Sequence, residues 1–226
     1  MGTGVLCLLA YDKDYFESGN ISNYKGYSND PYYEKRASMF KEIFDIHRAL
    51  DIGCAKGFQV LGFHKNGVEA YGVDISEYAL SQAPREIGNK LKVVDLNSES
   101  LPFQSNFFDF VYCSEIIEHI TALDNLLSEI RRVLQREKGN LYITTPEPNS
   151  PGAINDKTHV NVHDFPFWEA LLKKHGFQSK RIQIPPVIYQ PPYKAVIPKS
   201  LRIRVAENSV KKAKMSYDNN IFILAK

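Results

Sequence analysis

An α/β fold, a doubly wound and mostly parallel sheet of about seven strands, is what the 226-residue sequence predicts. Three observations carry the prediction. From His47 onward, short apolar strand-like runs alternate with helix-like segments, the pattern of a parallel sheet covered on both faces. The stretch Ala49-Leu50-Asp51-Ile52-Gly53-Cys54-Ala55-Lys56-Gly57-Phe58 reads as an apolar strand ending in an acid, a turn of small residues and a helix start, leaving backbone N–H groups facing an open crevice. About 20 residues further on, Val73-Asp74 puts a second acid at a strand tip, where open α/β sheets carry a ribose-binding carboxylate.

Taken in order, residues 1–45 form an aromatic N-terminal flap and helix, and 46–226 the main domain. Asp30-Pro31 is an N-cap followed by proline at the first helical position, so a helix is expected from there to Phe44, burying Tyr33, Ala37, Phe40 and Phe44. The flap's tyrosines are material for packing and for a lid over a ligand, with Arg36 placed to meet a carboxylate. Strands are expected near 48–52, 69–74, 91–94, 108–113, 139–144, 178–184 and 220–225. Helices are expected near 57–65, 76–86, 121–136 and 165–175, with a weak turn around Leu101. The 121–136 segment has the strongest apolar stripe, and Thr121…Asp124 begins it with a capping pattern. Pro185-Pro186 and Pro191-Pro192 interrupt the chain before the last strand, so the insertion near 185–218 reads as a binding loop or cap over the substrate site.

Composition excludes several classes. A hydrophobic fraction of 43% and a charged fraction of 24% are those of a globular protein, and no apolar run approaches the ~20 residues of a membrane span. The start lacks the basic region of a signal peptide, and Leu6 stands where myristoylation needs Ser or Thr. Cys7, Cys54 and Cys113 are odd in number and lack metal-type spacing, so free thiols and a cytoplasmic location are expected. Net charge of +2 predicts no strong polyanionic partner for the whole chain. The 194–214 segment is locally basic, which fits a solvated edge or a peripheral contact with an anionic or lipid-linked substrate.

The nicotinamide fingerprint G-x-G-x-x-G is absent; the turn is instead Asp51-x-Gly53-x-Ala55-x-Gly57. With Asp74 after it and Asp95-Leu96 after the third strand, this pattern resembles the class I S-adenosylmethionine-dependent methyltransferases, over about Phe44 to Ala225. The resemblance implies a Rossmann-like sheet whose final strand, around Ile221-Phe222-Ile223-Leu224, is inserted antiparallel beside strand five. It implies S-adenosylmethionine as cofactor, with Asp51, Gly53, Ala55 and Gly57 beside its methionine part, Asp74 and Ile75 at the ribose, and Asp95 and Leu96 at the adenine. Ser114, at the end of strand four, completes the expected cofactor set. Ala55 departs from the family pattern, standing where its middle glycine is usual.

Strand four runs into Glu115-Ile116-Ile117-Glu118-His119, and His159-Val160-Asn161 follows strand five. On a helical turn, positions i, i+3 and i+4 share a face, so Glu115, Glu118 and His119 are expected to converge. This resembles the E-x-x-E-H…H cluster of metal-dependent O-methyltransferases, which implies Glu115, Glu118, His119 and His159 as ligands of Mg²⁺ or Mn²⁺. Without metal, His119 or His159 serves as general base beside Glu118; a purely structural role stays open. The expected reaction is methyl transfer to an oxygen of a small-molecule, sugar or lipid-linked glycan acceptor. An RNA ribose 2′-O-methyltransferase is the alternative, disfavoured by the weak basic character. A non-catalytic cofactor-binding scaffold is the other. Sequence sets no oligomeric state.

Overall fold

The computed structural model describes residues 11–18, 22, 27–182 and 220–226. Seven strands lie in one sheet in the order β3-β2-β1-β4-β5-β7-β6. They are β1 (Arg48–Ile52), β2 (Glu69–Asp74), β3 (Leu91–Val93), β4 (Phe110–Ser114), β5 (Asn140–Pro146), β6 (Ser179–Ile182) and β7 (Asn220–Ala225). β1 to β5 pair in parallel, whereas β7 runs antiparallel to both β5 and β6. This is the expected Rossmann-like sheet, with the last strand inserted antiparallel. The order reverses between β1 and β4, so a crevice opens outside their carboxyl ends.

The helices are α1 (Lys13–Glu17), α2 (Pro31–Phe44), α3 (Phe58–Lys65), α4 (Glu77–Ser81), α5 (Leu123–Val133), α6 (Pro151–Asn155) and α7 (Phe165–Lys174). Alternation along the strands divides the core. Leu50 and Ile52 join Val111, Cys113, Ile130 and Trp168 on one face. Ala49 joins Ala37, Phe40, Phe63, Phe110 and Tyr112 on the other, where α2 and α3 pack. Asp51 has the parity of Ala49, so it faces the α2 side at the sheet's open end. Asp30 caps α2 as expected, its side chain accepting from the Tyr32 amide.

Two helices depart from expectation. The segment expected to be helical over 76–86 stops at Ser81, and the chain resumes as a 3₁₀ turn over Arg85–Lys90. Ala83-Pro84 lies between, and a proline ring excludes the α conformation from the residue before it. α5 begins at Leu123 rather than Thr121, and its cap is not local. Asn97 Oδ1 instead accepts from the Thr121 amide (2.8 Å), the Thr121 hydroxyl (2.9 Å) and the Ala122 amide (3.2 Å). The short helices α1 and α6 were not expected. The insertion near 185–218, the basic 194–214 segment and Cys7 lie outside the described residues. Cys54 and Cys113 are buried free thiols. Among the described residues, no helix is long and apolar enough to cross a membrane.

Candidate active site

The turn after β1 is built by backbone geometry. Gly53, Ala55 and Gly57 all have positive φ, of 72°, 48° and 73°. Gly53 has no alternative: a Cβ there would lie 2.1 Å from Ile116 Cγ1. Ala55 holds the left-handed conformation despite its methyl group, a strain of roughly 1 kcal/mol. Gly57 is the α3 N-cap and does not line the cavity described below; it packs against Ile87 and Leu91, so its part is conformational.

Asp74 closes this turn. Its Oδ2 accepts from the Ala55 amide at 2.7 Å and its Oδ1 from the Ser76 amide at 2.8 Å. Burial pushes its pKa up, and these N–H groups pull it back. Each carboxylate oxygen keeps a further lone pair for a hydroxyl donor. Asp51 is also buried, and burial raises its pKa well above the usual carboxylate range, opposed by the Arg36 guanidinium. Asp95 accepts from the Asn97 amide (3.0 Å) and the Ser98 hydroxyl (2.8 Å).

One cavity is lined by Asp51, Gly53, Ala55, Asp74, Ile75, Asp95 and Leu96, and equally by Ser114, Glu115 and His119. The N-terminal aromatics Tyr11, Tyr15, Phe16, Tyr27, Tyr32 and Tyr33 line it as well. Lys56, within the turn, reaches that segment: its Nζ donates to Glu17 Oε1 (2.5 Å) and to the Tyr27 carbonyl (3.0 Å). Among the described residues, Arg36 does not bond a carboxylate. Its Nε donates to Gln59 Oε1 at 2.7 Å, and its guanidinium lies 5.0–5.2 Å from the ring centres of Tyr32, Tyr33 and Tyr112. Gln59 is buried in the cavity wall, and its Nε2 has no hydrogen-bond partner.

The reaction end differs from expectation in one respect. Glu115 has φ 54°, and only Ile117–His119 forms a 3₁₀ turn, so the three acidic and basic side chains do not share a helical face. Glu115 turns toward β5, where its Oε1 accepts from the Thr144 hydroxyl at 2.7 Å. Glu118, His119 and His159 do come together, each offering a ligand atom within 4.8 Å of the others. Of these three, only His119 reaches the cavity. Glu118 is 0% exposed, and among the described residues neither of its oxygens meets hydrogen-bond geometry, although the Thr145 hydroxyl and its own backbone amide lie close enough to favour its charged form. Burial raises its pKa well above the usual range, and the neighbouring Glu115 adds to the rise.

The His159-Val160-Asn161 segment holds this turn in place. The Val160 and Asn161 amides both donate to the Glu118 carbonyl, at 2.8 and 2.9 Å. The imidazoles of His119 and His159 meet edge to face, 4.7 Å between ring centres. Burial, with His159 beside it, lowers the His119 pKa to about 4. Three residues around this end escaped the sequence reading: Thr144, Asp156 and Thr158. Only Asp156-x-Thr158-His159, polar residues next to a candidate histidine, left a local trace.

Known proteins resemble this chain in sequence and in fold. Residues 50–143 match the family model described as a methyltransferase domain. The chain is 27% identical over 150 residues to the uncharacterized methyltransferase YcgJ of Bacillus subtilis, covering 61% of this chain and 59% of that protein. It is 29% identical to the malonyl-[acyl-carrier protein] O-methyltransferase of Legionella pneumophila, over 57% of this chain and 49% of that one. Sterol C-methyltransferases and a glycine/sarcosine/dimethylglycine N-methyltransferase are also similar, and this chain spans 59% of YcgJ and less than half of the length of these other relatives. The fold matches the crystal structure of a SAM-dependent methyltransferase from Archaeoglobus fulgidus with a TM-score of 0.60 and 22% identity, over 86% of this chain and 94% of that one. In the turn at Asp51–Gly57, the acid at Asp74, the sheet order and the domain matched over residues 50–143, this chain is similar to the class I S-adenosylmethionine-dependent methyltransferases.

Proposed function

We propose that the protein transfers the methyl group of S-adenosylmethionine to an oxygen of a small-molecule, sugar or lipid-linked glycan acceptor, with His119 accepting the hydroxyl proton. The supporting observation is the single cavity whose lining runs from Asp51 and Asp74 to His119. A sulfonium donor is already activated, so alignment and removal of water are the main tasks left to the protein. The residues fit the donor: Asp74 has lone pairs left for the ribose hydroxyls, and Asp95 and Leu96 line the wall expected to meet the adenine. Arg36 and the unpaired Gln59 Nε2 are suited to the donor's amino-acid carboxylate. An imidazole that is neutral above about pH 4 is in its proton-accepting form across the physiological range, while its lowered pKa weakens its pull on the proton.

The test is calorimetric titration with S-adenosylhomocysteine, followed by transfer of labelled methyl groups to panels of hydroxylated acceptors by the parent and His119→Gln proteins. Absence of cofactor binding sinks the reading as a whole; undiminished transfer by His119→Gln removes the role of that imidazole.

A second reading is favoured by the orphaned carboxyl of Glu118 beside two imidazoles. Glu118, His119 and His159 would hold a divalent cation, which would lower the pKa of an acceptor hydroxyl. With Glu115 turned to Thr144, two nitrogens and one carboxylate suit Mg²⁺, an oxygen-seeking ion, less well than the four-residue set expected from sequence. Transfer that survives exhaustive chelation excludes this reading.

A further inference from the structure

We infer that Asp156 and Thr158 are positioning residues that fix the tautomer of His119, holding the proton on Nδ1 and leaving the Nε2 lone pair for the reaction. The inference rests on the proposed role of His119 as base. The chain of contacts begins at Asp156, which is buried and whose Oδ1 accepts from both the Thr158 hydroxyl (2.6 Å) and the Thr158 amide (2.9 Å). A hydroxyl has one hydrogen, and that hydrogen is committed to Asp156. Thr158 Oγ1, 2.9 Å from His119 Nδ1, therefore has only lone pairs to offer the ring. The Thr158 carbonyl, 3.3 Å from the same nitrogen, is likewise an acceptor. Two acceptors and no donor face Nδ1, so the proton sits there.

His159 is set by the same logic. Its Nδ1 lies 3.1 Å from the Ala153 carbonyl, which accepts only, while its Nε2 lies 4.0 Å from Asp156 Oδ2. Asp156 therefore anchors the Thr158 hydroxyl with one oxygen and faces the second imidazole with the other. Among the described residues, Tyr11, edge-on at 6.0 Å, and the neighbouring Glu118 carboxyl also lie near the His119 ring.

In the transfer step, the acceptor oxygen bonds the methyl carbon as the carbon–sulfur bond breaks, giving S-adenosylhomocysteine, and the hydroxyl proton passes to His119 Nε2. The resulting imidazolium carries one new proton and keeps its Nδ1 hydrogen bond to Thr158. The wrong tautomer would present an N–H to the acceptor and could not take the proton. Asp156 and Thr158 thus act through His119 without touching the reacting atoms.

The experiment uses the whole chain, ¹⁵N-labelled at histidine, with chelator present and no acceptor, and reads the tautomer from long-range ¹H–¹⁵N correlations. The His119 signal is assigned by its loss in His119→Gln. The expected result is an Nδ1–H tautomer in the parent, a shift toward Nε2–H in Thr158→Val, and recovery of the parent pattern in Thr158→Ser. An Nε2–H tautomer in the parent overturns the inference whether or not any variant folds. So does an unchanged His119 signal in a Thr158→Val protein that binds S-adenosylhomocysteine normally. Because the readout needs no acceptor, the relay and the proposed reaction can fail independently. Once an acceptor is identified, Thr158→Val should lower kcat on the order of tenfold, as loss of an orienting partner does elsewhere, with donor affinity unchanged.

Discussion

Asp74, the last residue of β2, and Glu118, just beyond β4, are both buried acids at the carboxyl ends of parallel strands, yet the chain treats them in opposite ways. Asp74 accepts two backbone amides, from Ala55 and Ser76. Glu118 is sealed among its neighbours, with no well-formed hydrogen bond to either oxygen among the described residues and only the Thr145 hydroxyl and its own amide close by. The donor end is thus wired by main chain and is complete before any ligand arrives, while the reaction end keeps an unsatisfied group behind the imidazole that faces the cavity. A buried carboxyl left without partners is a standing cost, and such groups concentrate where chemistry is done.

Substitutions can break this contrast. The largest effect is expected for His119→Gln: a loss of kcat on the order of 10²–10⁴, the usual worth of a positioned base, with no change in affinity for S-adenosylhomocysteine. Asp74→Asn should do the reverse, weakening S-adenosylhomocysteine by about 10- to 100-fold in calorimetry, as loss of hydrogen bonds to a charged group does. If each substitution affected both quantities alike, the two ends would not be separable.

A smaller effect sharpens the comparison at Glu118. Its folded pKa is raised, so the folded state binds more protons than the unfolded chain between the usual carboxylate range and that raised value. Stability attributable to Glu118 therefore falls as pH rises through this window. Glu118→Gln should raise the melting temperature at neutral pH and should give no gain at pH values below the usual carboxylate range. The smallest change expected is at the donor turn. Ala55→Gly relieves a left-handed alanine and should stabilise the fold by roughly 0.5–1 kcal/mol in denaturant titration.

The same contrast explains what the sequence disclosed. Asp51–Gly57 and Asp74 were legible because a tight strand-to-helix turn is decided by local chain geometry, and small residues announce it. The strands were legible through their alternation, and β7 through its resemblance to a known ending. Glu118 and His119 were found by motif, but their arrangement was not: the positive φ of Glu115 breaks the helical turn that the spacing implied. Asn97 capping α5 from 24 residues away, and Thr158 meeting His119 across 39, are contacts of tertiary packing that no local pattern encodes. The break at Pro84 was, by contrast, written in the sequence and outweighed there by the apparent helical period.

Lys56 bears on how the cavity opens. Its ammonium sits in the donor turn, mostly buried, yet its partners Glu17 and Tyr27 belong to the N-terminal aromatic segment. Lifting that segment away would break both contacts, so the Lys56 ammonium ties the roof of the cavity to its floor.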